Sequence, residues 1–157
     1  MSPLLNAKPS PLTERTFTVP AYSGRLRLIA LAYGALLLFW SSLEDNSVLP
    51  VALLGGGLAL LALSLWLTRR YGGRIFAART ALLGAALAGA AFGLAASLAV
   101  AVLMLIKDGL HSHLFPDYPF GMIVDILTRA PLWALAGSFA GIRSAAGMVG
   151  DQTKENP

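Results

Sequence analysis

The sequence contains no cysteine and few charged residues. The lack of cysteine excludes disulfides, thiolate nucleophiles, cysteine-ligated zinc and iron–sulfur clusters. Charged residues make up only 13% of the 157 residues, whereas a soluble domain usually has about 25%. Hydrophobic residues make up 56%. A soluble protein of this size would have difficulty covering so many apolar residues with a polar surface. The composition therefore indicates a protein that exposes apolar side chains to lipid.

The sequence also lacks the motifs of the common enzyme classes. It has no HExxH, no Walker loop and no G-x-S-x-G, and no acidic cluster for two-metal phosphoryl chemistry. The net charge of +4 comes from basic residues at the ends of apolar stretches, not from a basic face interleaved with aromatic residues. We therefore predict neither an enzyme nor a nucleic-acid-binding protein, and no cofactor.

Four long apolar stretches are the main positive feature of the sequence. They cover residues 26–43, 48–67, 81–106 and 120–142. A helix needs about 20 apolar residues to cross the hydrocarbon core of a bilayer. The sequence therefore predicts an all-α fold, a polytopic four-helix transmembrane bundle with short loops.

The lysine and arginine residues predict the orientation of this bundle. Ten of the twelve lie before or at the start of the first stretch, between the second and third, or after the fourth. Because Lys and Arg concentrate in cytoplasmic connections, both termini are predicted to be cytoplasmic. The predicted organisation is a disordered N-terminal tail at 1–24, an integral multi-pass membrane domain at 25–149 and a C-terminal tail at 150–157.

The fourth stretch is the least uniform, because it contains Asp125, Arg129 and Pro131. In one arrangement it crosses the membrane as a kinked helix, with Asp125 and Arg129 paired at i, i+4 spacing. In the other, residues 120–129 lie along the interface and Pro131 opens a short tilted helix. We favour the kinked crossing. An ionisable pair within a membrane span is a candidate functional site.

Small residues in the third and fourth stretches predict close helix packing. Gly89 and Gly93 have GxxxG spacing, as do Gly137 and Gly141, and each pair begins at the end of an Ala-Leu-Ala-Gly sequence. Such spacing lets helix backbones approach closely. We predict that these four glycines lie at helix contacts, either within the chain or between copies of it.

Both histidines of the chain lie in the polar connection at 107–119. In an extended segment His111 and His113 would point to the same side. With Asp108 or Asp117 they would supply enough ligands for zinc or a similar divalent metal. The simpler interpretation of this spacing is a pair of solvated or hydrogen-bonded histidines.

Together these features predict a non-enzymatic integral membrane protein, an accessory subunit or assembly factor of a membrane complex. Its predicted partners are the lipid bilayer and either another membrane protein or further copies of itself. The alternative prediction is a small transporter or channel that uses Asp125 and Arg129. That alternative is weaker because the other three stretches contain no acidic residue.

Overall fold

Residues 16–43, 47–110 and 116–151 are described by the structure, a computed structural model. Within them the chain is predominantly helical, as predicted. The helices are α1 (Gly24–Ser41), α2 (Val48–Tyr71), α3 (Ala78–Leu110), α4 (Phe120–Thr128) and α5 (Ala130–Asp151). Helices α1, α2 and α3 are each long and apolar enough to cross a membrane, and α4 with α5 forms a fourth candidate if the bent pair is one span.

Helices α2 and α3 continue beyond the apolar stretches that predict them. Helix α2 runs on through Arg69 and Arg70 to Tyr71, where the basic side chains complement the negative end of the helix dipole. Helix α3 has 33 residues and includes Lys107 in its last turn, which gives it a length of about 50 Å at 1.5 Å per residue. The connection between the two helices is therefore shorter than the sequence suggests.

A short β-ribbon, which the sequence does not predict, joins the chain before α1 to the chain before α3. Strand β1 (Thr16–Thr18) pairs antiparallel with strand β2 (Ile75–Ala77). The Gly73 N–H, in a turn with φ of 77°, donates to the Val19 carbonyl at 2.9 Å. The Val19 N–H in turn donates to the Arg74 carbonyl at 3.0 Å. The prediction of a disordered tail at 1–24 is therefore corrected for its described part, because backbone hydrogen bonds hold it in place.

Helices α4 and α5 meet at Arg129 with a bend of 43°. The bend follows from Pro131, which has no N–H to donate to the Leu127 carbonyl four residues earlier. Arg129 ends α4, where its N–H donates to the Asp125 carbonyl at 3.3 Å, and its own carbonyl accepts the Leu132 N–H at 3.0 Å. The fourth apolar stretch is thus a pair of helices with a break at an ionisable residue.

Helix α3 is the central element, since α2, α4 and α5 all pack on it. The C-terminal half of α3 carries most of the side chains that are buried in the core. These side chains belong to Val100, Ala101, Leu103, Met104 and Lys107. Other elements complete this core cluster with Trp40, Val51, Tyr118 and Ile123. The best-packed region therefore lies at one end of the bundle, where α1 ends and α2 begins.

Candidate functional site

The most unusual side chain in this core is Lys107, which is fully buried. It lies on the same face of α3 as Val100 and Met104, at spacings of i, i+4 and i+7 that bring side chains to one side of a helix. Its Nζ lies 4.7 Å from the centre of the Trp40 ring and 6.0 Å from the centre of the Tyr118 ring. A cation at these distances is attracted by the negative face of an aromatic ring. The lysine thus joins the end of α3 to the end of α1.

Tyr118 connects the same end of α3 to the start of α2. Its side chain is fully buried, and its backbone N–H donates to Asp108 Oδ1 at 2.9 Å. Its hydroxyl donates to the Ser47 carbonyl, just before α2, at 3.3 Å. We call Trp40, Ser47, Lys107, Asp108 and Tyr118 the lysine cluster. Because the lysine ammonium is closed off from solvent, this arrangement suits a structural contact between helices better than a reactive amine.

The predicted metal ligands are only partly within the described residues. His111 and His113 lie outside them, so their predicted site stays a prediction. Asp108 accepts the Tyr118 N–H, and Asp117 is half-buried and also makes a polar interaction. Among the residues that the structure describes, no three His, Asp or Glu side chains come together as a metal site would require.

Asp125 and Arg129 are both exposed on the outer side of the α4–α5 pair. No ion pair within 4.0 Å joins these two described side chains, so the predicted i, i+4 pairing is absent. The carbonyl of Asp125 is engaged by the Thr128 hydroxyl at 2.9 Å. The buried face of α4 is formed instead by Ile123, with Met122 and Ile126 packed against the core cluster. The two charges therefore point away from α3.

The four predicted glycines lie together where α5 runs antiparallel to α3. A Cβ atom built on Gly89 would lie 2.6 Å from the carbonyl carbon of Gly137. One built on Gly141 would lie 2.9 Å from the carbonyl carbon of Ala85. Gly93 is equally close to the backbone at Trp133. Real Cβ atoms do not approach backbone atoms this closely, so only glycine permits the contact.

The register of this contact fixes the level of the break in the fourth stretch. Ala85 faces Gly141, Gly89 faces Gly137, and Gly93 faces Trp133. One further step of four residues puts Ser97 of α3 level with Arg129, since four residues cover the same length, about 6 Å, along each of the two helices. Ser97 is buried, and its hydroxyl has no hydrogen-bond partner in the described structure.

A group of basic and aromatic side chains surrounds the ribbon at the opposite end from the lysine cluster. The Arg69 guanidinium lies 5.4 Å from the centre of the Tyr22 ring. Those of Arg70 and Arg74 lie 6.0 and 5.9 Å from the centre of the Tyr71 ring. An open surface depression of about 360 Å³ lies beside Trp66 on α2. The three arginine–tyrosine contacts help to hold the connection between α2 and α3 in place.

Sequence reasoning missed the lysine cluster. Lys107 follows a long apolar stretch, and a terminal lysine is ordinarily interpreted as one that reaches the interface. The available signals were two aromatic residues, Trp40 at the end of the first stretch and Tyr118 just before the fourth. Both belong to the same end of the predicted bundle, but the sequence alone does not pair them.

Comparison of the chain with protein-family models, with curated proteins and with solved structures finds no match.

Proposed function

We propose that the chain is a non-enzymatic integral membrane protein that crosses the bilayer four times, with both termini in the cytoplasm. Large apolar side chains on the outer faces support this, because exposed leucine and phenylalanine are stable against lipid tails. Leu38, Leu53, Leu87 and Phe139 are examples, each with more than half of its surface exposed. The arginines near the ribbon then lie in the cytoplasm, as the distribution of basic residues favours.

In this proposal α4 and α5 together form the fourth crossing. Lys107 and Asp108 mark the non-cytoplasmic boundary at the end of α3. Ser97 precedes Lys107 on α3 by about 15 Å along the helix at 1.5 Å per residue, which is half of a hydrocarbon core of about 30 Å. Arg129, at the level of Ser97, therefore lies near the middle of the membrane. A charge at that depth costs about 2.5–3.5 kcal/mol on insertion scales.

The proposed role is that of an accessory subunit or assembly factor of a membrane complex. The observation that carries it is the glycine contact between α3 and α5. Backbones in direct contact leave no space for a substrate path between these two helices. At the same time Asp125 and Arg129 are directed outward, which favours a lateral contact over an internal pathway.

Two experiments test the proposal separately. A reporter fused after Pro157 should be active only in the cytoplasm, and activity outside it would contradict the topology. Extraction in mild detergent followed by affinity purification should recover the protein with other membrane proteins in fixed proportion. Recovery without any co-purifying protein would contradict the role in a complex and leave the topology intact.

A transport role is the alternative, and one observation favours it. The 43° bend falls at an ionisable residue, and discontinuous helices form the substrate sites of many secondary transporters. Reconstituted protein would then carry an ion flux that Asp125→Asn abolishes. Thr128→Ala, a change on the same exposed side, should keep the flux and serves as the control.

A further inference from the structure

The outer face of α4, continued by the residue that caps its C-terminal end, carries one residue of each charge and a glycine in a single row. Gly121, Asp125 and Arg129 are spaced by four residues, so they follow one another along the same face. All three are exposed, and a Cβ built on Gly121 would meet no atom within 4 Å. We call this row the α4 stripe. It is open, and no other part of the described chain covers it.

We infer that the α4 stripe is a contact site for a second copy of this chain, in which Asp125 of each copy pairs with Arg129 of the other. The inference rests on the proposed membrane crossing, which puts the stripe against lipid. Within each copy the two charges are unpaired, although they lie one turn apart. When a twofold axis runs parallel to such a row, Asp125 of each copy can pair diagonally with Arg129 of the other.

The geometry of a membrane suits this pairing. Two copies inserted in the same direction are related by an axis along the bilayer normal, so equal residues lie at equal depth. Asp125 then lies four residues, about 6 Å along the helix, from the level of the opposing Arg129, a distance that the long arginine side chain reaches. Gly121 on the same row lets the two backbones approach. The reciprocal pairs neutralise both charges in the low-dielectric core, where pairing is needed most.

Charge reversal distinguishes pairing between copies from pairing within one copy. Asp125→Arg alone and Arg129→Asp alone each place like charges across the contact. We expect each variant to weaken self-association in lipid nanodiscs or mild detergent by about thirtyfold or more, since loss of one member of a desolvated charge pair has effects of this size. Mixing the two single variants should restore association as a heterodimer, because each then supplies what the other lacks.

Cysteine cross-linking gives a second readout, and the chain has no native cysteine to interfere. Gly121→Cys should form a disulfide-linked dimer on mild oxidation in the membrane. Leu49→Cys is the matched control, because Leu49 is 68% exposed near the start of α2, at the same end of the bundle. It should remain monomeric under conditions that cross-link the Gly121→Cys protein.

The outcomes decide between a dimer and its alternatives. Cross-linking at position 121 but not at 49, with recovery in the mixed variants, supports the inference. A wild-type protein that stays monomeric at all protein-to-lipid ratios overturns it, and the proposed four-crossing topology is unaffected. Association restored in the Asp125→Arg/Arg129→Asp double variant but not in the mixture also overturns the inference. In the mixture one copy carries two positive charges and the other two negative charges, so a contact between copies would form there as well.

Discussion

Lys107 and Trp40 face each other at the buried end of the bundle, with the lysine Nζ 4.7 Å from the centre of the indole ring. The lysine is fully buried and the tryptophan is 6% exposed. The contact joins α3 to α1, two helices that are separated in sequence by the whole of α2. The contact therefore holds α1 against α3, and it also holds the Lys107 charge beside an aromatic ring.

Removal of the lysine charge should destabilise the fold. Lys107→Met keeps much of the side-chain volume but loses the attraction to Trp40 and Tyr118, which is worth about 2 kcal/mol in a desolvated site. The free energy of unfolding, measured by circular dichroism during SDS titration of mixed micelles, should fall by about that amount. Arg143→Met, at an exposed position on α5, should change it by less than about 0.5 kcal/mol. Equal stability of the two variants would contradict the role assigned to Lys107.

Loss of the Tyr118 hydroxyl should have a smaller effect. In Tyr118→Phe the ring remains against the core, but the Ser47 carbonyl loses the donor that lies 3.3 Å away. We expect a loss of about 0.5–1.5 kcal/mol, the usual net value of one hydrogen bond. Tyr22→Phe is the matched change at a tyrosine that is 39% exposed, and its unfolding midpoint should match that of the wild type. A larger effect at Tyr22 would argue against the importance of the Tyr118 contact.

The contact between α3 and α5 should tolerate no side chain at Gly89. A methyl group there would overlap the backbone at Gly137, and overpacking of this kind costs about 1–3 kcal/mol. Gly84, on the same helix, has open space around it. Gly84→Ala should therefore be neutral or slightly stabilising, because alanine is the better helix former. Thermal unfolding of the two variants in the same detergent compares them directly, and equal midpoints would rule out a close α3–α5 contact at Gly89.

Adjacent glycines in α2 offer an even closer comparison. A Cβ on Gly55 would lie 2.8 Å from the Val100 backbone nitrogen on α3, whereas one on Gly56 would meet nothing within 4 Å. Gly55→Ala should lower the unfolding midpoint, and Gly56→Ala should leave it unchanged or raise it. Because the two positions are adjacent in α2, the two variants have the same amino-acid composition and nearly the same depth in the bundle. If both variants behave alike, α2 and α3 do not pack through this face.

The helices were predictable from the sequence because their signal is local. Residues 48–67 and 81–106 are continuous apolar runs, and each forms most of one long helix. The GxxxG spacing of Gly89 and Gly93 is equally local, and it pointed to residues that lie at a backbone contact. The bend at Arg129 was also open to prediction, since Pro131 removes a hydrogen-bond donor whatever surrounds it.

The lysine cluster and the ribbon were not predictable, because both depend on contacts between distant parts of the chain. Strands of three residues carry too little periodicity to be recognised alone, and β1 and β2 are separated by two helices. Lys107 has the sequence surroundings of an ordinary helix-end lysine. Its burial depends on where Trp40 and Tyr118 lie in three dimensions. The described side chains of Asp125 and Arg129 do not make the contact that their spacing permits, for a related reason: spacing alone does not decide where side chains point.

If the helices cross a bilayer as proposed, the β-ribbon constrains how the chain enters it. Hydrogen bonds between β1 and β2 cannot form across a membrane, so the two strands must lie on the same side of it. Helix α1 leaves from β1, and α2 leads back to β2. The first two helices are therefore a hairpin that has to return to the side from which it started, whatever the balance of charges in the flanking segments. In that topology the ribbon can form only after α2 has crossed back and brought β2 to the side of β1.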